Sequence, residues 1–176
     1  MKTKIKQMIR EGLENTIVKV SIFDFDGTLF NTPEPETGKV IYKEKTGKDW
    51  PFQGWWGRNE GLDMDVFQIP PIDSVISDYN EEKGKSNTLV VMMTGRIPKN
   101  AQFVEKILNK HNITFDEYIY KKGSATLEFK IKVLNNMLNT YPNLREIEMW
   151  EDRPEHTAAF REWGEDKEVD VTVNQV

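Results

Sequence analysis

Residues 17–30 read Ile-Val-Lys-Val-Ser-Ile-Phe-Asp-Phe-Asp-Gly-Thr-Leu-Phe, an apolar, β-branched run that ends in two carboxylates and a turn. The run predicts a buried strand. Asp24 and Asp26 fall at its carboxyl edge, and Gly27-Thr28 turns the chain away. That edge is where open α/β sheets bind their ligands. Strand side chains alternate faces, but a bend at the strand's end lets both carboxylates line one pocket. Two close carboxylates repel each other unless a cation lies between them or one holds a proton. The pair therefore asks for Mg²⁺, or for a nucleophile beside a general acid. The competing reading is a solvated Asp-Gly turn after a strand.

The length, 176 residues, is that of one domain with a real core. Hydrophobic content of 38% and charged content of 30% are ordinary for a globular protein. The absence of Cys excludes disulfides, thiolate metal sites and cysteine nucleophiles, and fits a reducing cytoplasm. A net charge of −5 argues against an extended nucleic-acid surface but leaves room for a small or terminal phosphate. No apolar run is long enough for a signal sequence or a membrane span. Ile5, Met8, Ile9 and Leu13 recur at helical spacing among Lys2, Lys4, Lys6 and Arg10. Residues 1–16 are therefore expected to form an amphipathic helix packed on a single domain spanning 17–176.

Residues 31–72 read as neither one helix nor one strand. They hold Pro33, Pro35, Pro51, Pro70 and Pro71 with the aromatic group Trp50, Phe52, Trp55 and Trp56. So long an irregular stretch is expected to be a lid inserted after the first strand. Its aromatics either stack on a flat group such as a base or anchor the insertion to the core. Arg58 is either a phosphate contact or a solvated loop residue. Asp73 and Ser74 are candidate N-caps for a helix to about Lys83. Thr88–Met93 is a continuous apolar run, a strand buried on both faces, ending in Thr94-Gly95-Arg96. A helix over 98–111, a strand over 115–120, a helix over 126–140 carrying Lys130, and a strand over 146–150 ending in Glu151-Asp152-Arg153 follow. A helix over 155–163 with His156 and an edge strand over 169–173 complete the chain. This alternation predicts an α/β three-layer sandwich around a mostly parallel sheet.

Four polar clusters thus fall where an α/β sheet gathers its site: Asp24/Asp26, Thr94-Gly95-Arg96, Lys130 and Glu151-Asp152. In this order they resemble the haloacid dehalogenase (HAD) superfamily of phosphotransferases, with its Rossmann-like fold. The first motif, Asp-x-Asp-Gly-Thr, stands intact as Asp24-Phe25-Asp26-Gly27-Thr28. Thr94 after Met92-Met93 matches the second, Lys130 the third (Lys121 and Lys122 are alternatives), and Glu151-Asp152 the fourth. A narrower likeness runs through Leu29–Pro35, Gly54-Trp55-Trp56, Met93–Arg96, Phe129-Lys130 and Glu151–His156. It is similar to the HAD domain of Swiss Army Knife RNA-repair proteins. Asp26-Gly27 departs from the first motif usual there toward the ordinary phosphatase pattern, which favours hydrolase chemistry. Thr94-Gly95-Arg96 also resembles the phosphatase half of polynucleotide kinase–phosphatases.

The resemblance implies a Mg²⁺-dependent phosphomonoester hydrolase acting on a nucleotide or a nucleic-acid terminal phosphate. Asp24 would attack phosphorus, giving an aspartyl-phosphate. Asp26 would protonate the leaving oxygen and then deprotonate the attacking water. Thr94 and Lys130 would hold phosphoryl oxygens, with Gly27, Thr28, Gly95, Arg96 and Arg153 contacting substrate. Mg²⁺ would take Asp24, the Asp26 carbonyl and a fourth-motif acid, with Asp152 direct and Glu151 through water or the reverse. Arg96 is either a bidentate phosphate contact or an exposed salt bridge. His156 reads as a helix-start or packing residue rather than a catalyst. The alternatives are a phosphatase for a small metabolite such as a sugar phosphate, and a non-catalytic binding protein of the same fold. Dehalogenation is disfavoured, because it needs neither the second Asp nor a metal.

Overall fold

A computed structural model describes residues 11–176. Residues 11–14 are helical, and most of the helix expected over 1–16 lies outside the described residues. Five strands, β1 (Lys19–Phe23), β2 (Thr88–Thr94), β3 (Glu117–Tyr120), β4 (Glu146–Glu151) and β5 (Asp170–Gln175), form one sheet in the order β3-β2-β1-β4-β5. Every neighbouring pair is parallel, so the sheet is wholly rather than mostly so. Beyond residues 11–14, five α-helices accompany it among the described residues: α1 (Pro35–Thr46), α2 (Asp73–Lys83), α3 (Ala101–Lys110), α4 (Thr126–Thr140) and α5 (Pro154–Gly164). Among the described residues, no helix is long and apolar enough to cross a membrane.

The strand alternation sorts the core into two layers. Phe23, Val90, Met92 and Trp150 face one side, where they meet Val75 and Tyr79 of α2 and Val104, Ile107 and Leu108 of α3. Val20, Ile22, Val91, Met93, Ile147 and Met149 face the other, against Leu134 and Met137 of α4 and Phe160 of α5. All these residues are buried, which accounts for the unbroken apolar run of β2. Phe23 and Trp150, paired in register across β1 and β4, stack with ring centroids 4.2 Å apart.

Three local expectations are corrected. Residues 35–46 are helical, with Pro35 opening α1 and Gly47 closing it in the left-handed region (φ 72°). The cap of α2 is Ile72, with no side-chain cap bond; Asp73 is its first helical residue. The strand expected from 115 begins at Glu117, because Asp116 turns inward, its Oδ2 accepting from the Val90 backbone N–H at 2.8 Å.

The aromatic stretch mostly anchors. Trp55 is 4% exposed, donates its indole N–H to the Pro33 carbonyl at 3.0 Å, and packs against Phe67. Gly38 of α1 leaves room for that indole: a Cβ there would lie 2.2 Å from the Trp55 ring. Arg58 donates to the Gln53 carbonyl and sits over the Phe52 ring, contacts within its own loop.

Candidate active site

The connection leaving β1 runs to β2 on one side, whereas β4 docks on the other. The carboxyl ends of β1 and β4 therefore diverge at a topological switch point, the crevice that such sheets offer to ligands. Asp24 leaves β1 there and Glu151-Asp152 leaves β4. Backbone bonds fold the intervening turn back on itself: Gly27 N–H donates to the Phe30 carbonyl (2.9 Å) and Phe30 N–H to the Phe25 carbonyl (3.1 Å). Gly27 adopts φ 68°, and a Cβ there would lie 2.5 Å from Asp152 Oδ2. Glycine thus serves both the turn and the close approach of the second strand end.

Asp24 is 8% exposed and accepts from the Phe25 backbone N–H at 2.8 Å. Lys130, 1% exposed on α4, places its Nζ 3.1 Å from Asp24 Oδ2 and 2.7 Å from Glu151 Oε2. Asp24, Glu151 and Asp152 offer carboxylate oxygens within 4.8 Å of one another. Burial, opposed by Lys130 and reinforced by the charges of Glu151, Asp26 and Asp152, pushes the Asp24 carboxyl up to about 8. Burial and then the charge of Glu151 push Asp152 up to about 6. Glu151 goes the other way: burial disfavours its charge, but His156 and Lys130 outweigh it and hold the group at about 2. Asp152 Oδ1 is buried with no hydrogen-bond partner among the described residues. One ammonium among three crowded carboxylates leaves negative charge uncompensated, and the donor set is all oxygen. That set fits a hard divalent cation such as Mg²⁺ and not a soft one.

Asp26 faces a different neighbourhood. Arg96 Nε lies 2.9 Å and Nη2 2.7 Å from its carboxylate oxygens, and Thr32 Oγ1 donates to Oδ1 at 2.8 Å. Arg96 is 1% exposed and gives its Nη1 to the Trp56 carbonyl at 2.8 Å, so it is a buried ion pair rather than an exposed one. The Thr94 hydroxyl oxygen, also buried, accepts from the Arg96 backbone N–H at 3.0 Å.

A cavity of about 200 Å³ is lined by Asp24, Asp26, Trp56, Gly95, Arg96, Lys121, Thr126, Arg153 and His156. The fold thus gathers most of the residues picked out by motif. Thr28 is an exception, fully buried with its hydroxyl unpartnered among the described residues and absent from the cavity wall. Thr94 and Lys130 are buried and not among the cavity's lining residues. Of the three candidate lysines, Lys130 touches the acids, Lys121 lines the cavity, and Lys122 points to a separate surface groove. His156 packs edge-on to Phe160 and sets its Nδ1 3.5 Å from Glu151 Oε1. Thr32, Thr126 and Asn100 were not readable as site residues. Asn100 Nδ2 donates to Asn59 Oδ1 at 2.8 Å and approaches the Gly57 carbonyl at 3.3 Å, tethering the Trp56 segment. A lone Thr or Asn carries no spacing signal; only the partner across the fold reveals its use.

Comparison with known proteins agrees with this fold. A stretch of the yeast (Saccharomyces cerevisiae) uncharacterized protein YMR265C is 26% identical over 172 positions, covering 84% of this chain. The chain spans only 37% of that protein's length. In the Pnkp1/Rnl/Hen1 complex a similar fold occurs at 17% identity and TM-score 0.59, over 91% of this chain and 46% of that one. The haloacid dehalogenase-like hydrolase SP0104 of Streptococcus pneumoniae shares the fold at 15% identity and TM-score 0.53, over 91% and 95% of the two chains. The β-phosphoglucomutase of Pyrococcus sp. strain ST 04 does so at 15% and 0.51, over 84% of each. The model of HAD domain family 1 in Swiss Army Knife RNA repair proteins matches residues 45–175, from the end of α1 through β5 and including the second to fourth motifs. This chain belongs to that family.

Proposed function

We propose that the chain is a Mg²⁺-dependent phosphomonoester hydrolase acting on a nucleotide or a nucleic-acid terminal phosphate. One observation carries the reading: a buried Asp24 carboxylate with Lys130 Nζ at 3.1 Å and two further acids beside it, opening on a cavity lined by Asp26. Nucleophile, proton-transfer group and charge for a phosphoryl oxygen thus share one strand-end crevice. The RNA-repair family and the Pnkp1/Rnl/Hen1 likeness support the substrate class.

Asp24 attacks phosphorus in line with the leaving oxygen, forming an aspartyl-phosphate and splitting one displacement into two. Asp26 relays a proton, taken up from solvent before the first transfer, to the leaving oxygen and then takes one from the water that cleaves the acyl phosphate. Arg96 and Thr32 fix the orientation of Asp26 for both transfers. Lys130, with the Thr94 hydroxyl, meets the charge on the phosphoryl oxygens. Asp24, Asp152 and the Asp26 carbonyl would hold Mg²⁺, with Glu151, the acid nearer to Lys130, one step removed. When bound, the ion neutralises phosphoryl charge and relieves the repulsion among the acids. Residues 31–72 cap the site.

The test is phosphate release from p-nitrophenyl phosphate, a nucleotide panel and 3′- or 5′-phosphorylated oligonucleotides. Each is run with Mg²⁺, with EDTA, and with Asp24→Asn. Release that needs both the metal and Asp24 is expected. Release that persists in Asp24→Asn would overturn the assignment of the nucleophile. A folded protein that releases phosphate from none of them would overturn the hydrolase reading.

A further inference from the structure

Beyond the transferred phosphoryl group, any substrate of this site must put the rest of itself somewhere. A cavity of about 200 Å³ is smaller than the range of about 300–1,000 Å³ that encloses a whole small ligand. A phosphoryl group is small enough for that volume, and the rest of a larger substrate would extend beyond it. Three of the lining residues are free to meet that remainder.

Trp56 is the first. The other four tryptophans each donate their indole N–H within the protein: Trp50 to the Gly54 carbonyl, Trp55 to the Pro33 carbonyl, Trp150 to Asp78 and Trp163 to Asn135. Among the described residues, Trp56 has no such bond. Its backbone, by contrast, is held: Arg96 Nη1 binds its carbonyl, and Asn100 tethers the residues that follow. Its ring packs in part against the core, and the Arg96 guanidinium carbon lies 5.2 Å from the ring centroid. The remainder of this half-buried indole, held on a fixed backbone with its N–H unused, lines the cavity and offers a surface for stacking.

Lys121 and Arg153 are the others. Of the cations at the site, Arg96 is paired to Asp26 and Lys130 to Asp24 and Glu151. Lys121 and Arg153 also line the cavity, yet neither forms an ion pair among the described residues. The Arg153 guanidinium carbon lies 6.0 Å from the Trp56 ring centroid, so cation and platform are contiguous. An aromatic ring beside two cations that form no ion pair among the described residues matches a base beside a second phosphate.

Resting on the hydrolase reading above, we infer that Trp56, Lys121 and Arg153 form a leaving-group subsite that stacks one base and pairs the neighbouring phosphodiester. The substrate is then a phosphorylated polynucleotide end in preference to a mononucleotide or a sugar phosphate.

Two measurements on the full chain test this. In the first, an end-labelled, terminally phosphorylated pentanucleotide is titrated by fluorescence anisotropy against Asp24→Asn protein, which needs no turnover. Trp56→Ala is expected to weaken binding about five- to 150-fold, and Trp56→Phe, which keeps a ring, to restore most of it. Lys121→Ala and Arg153→Ala are each expected to reduce the slope of log K against log salt by about 0.7. In the second, kcat/KM is compared for the pentanucleotide, the matching mononucleotide and p-nitrophenyl phosphate. The pentanucleotide is expected to lead the mononucleotide by at least about tenfold, a lead that shrinks in each variant. Equal binding by Trp56→Ala and its parent, an unchanged salt slope, or equal kcat/KM for the two nucleotides overturns the subsite while hydrolysis stands. Failure to hydrolyse p-nitrophenyl phosphate or any nucleotide overturns the hydrolase reading instead, and the anisotropy result then decides the subsite by itself.

Discussion

Replacing Arg96 by Leu removes a guanidinium that is 1% exposed and strands two groups at once. Asp26 loses its contacts with Nε and Nη2, and the Trp56 carbonyl loses Nη1. Breaking a buried ion pair from one side costs about 3–5 kcal/mol. The Asp26 side chain keeps 14% exposure, so water partly solvates the stranded carboxylate and the lower end, about 3 kcal/mol, applies. The orphaned carbonyl adds about 1 kcal/mol. The expected loss is about 4 kcal/mol, or roughly 10 °C in Tm for a chain of this length. Urea denaturation followed by circular dichroism in EDTA measures it without contribution from bound metal. A double-mutant cycle with Asp26→Asn isolates the pair, because Asn leaves less charge to strand and the double variant should lose less than the two single losses added. A loss below about 1 kcal/mol for Arg96→Leu, the size expected of a solvated ion pair, would refute the claim that this pair is buried and structural.

Other perturbations separate similar alternatives. Gly38→Ala sets two effects against each other: a helix gain of about 0.5–1 kcal/mol, and a Cβ 2.2 Å from the Trp55 ring. Overpacking of about 1–3 kcal/mol should win, and a variant more stable to urea than the parent would show that Trp55 moves freely. Adding Mg²⁺ at about 100 times its dissociation constant should stabilise the protein by about 2.7 kcal/mol. Asp152→Asn should abolish that gain in thermal melts; an undiminished gain would remove Asp152 from the ligand set. Glu82 is 3% exposed, and although burial disfavours its charge, Lys85, Ser21 and Lys19 lower its carboxyl below the ordinary 4.5. A depressed carboxylate contributes stability that is present above 4.5 and lost as pH falls through the folded value. The deficit of Glu82→Gln in urea midpoint should therefore be largest at neutral pH and narrow in acid, and a deficit that widens in acid contradicts the assignment.

Much of the fold is legible locally. The apolar run of β2 and the stretch leading to Asp24 are strands because burial on two faces demands unbroken apolar residues, and α4 matches its expected span of 126–140. Asp24, Asp26 and the acids after β4 were recognisable because each follows a strand. What pairing each makes was not. Arg96 reads equally as a phosphate contact or a surface salt bridge until Asp26 is placed against it. Three lysines compete until α4 carries Lys130 between Asp24 and Glu151. Trp55 and Trp56 are adjacent and chemically identical, yet one is driven into the core by Gly38 and Pro33 while the other lines the cavity.

The sequence by itself determined which residues become strand ends and what chemistry those ends carry, because periodicity and turn chemistry are local properties of the chain. Only the tertiary structure decided which charges neutralise one another. Those partners meet through the docking of β2 and β4 on opposite sides of β1, and Coulomb energy depends on separation in space, not along the chain.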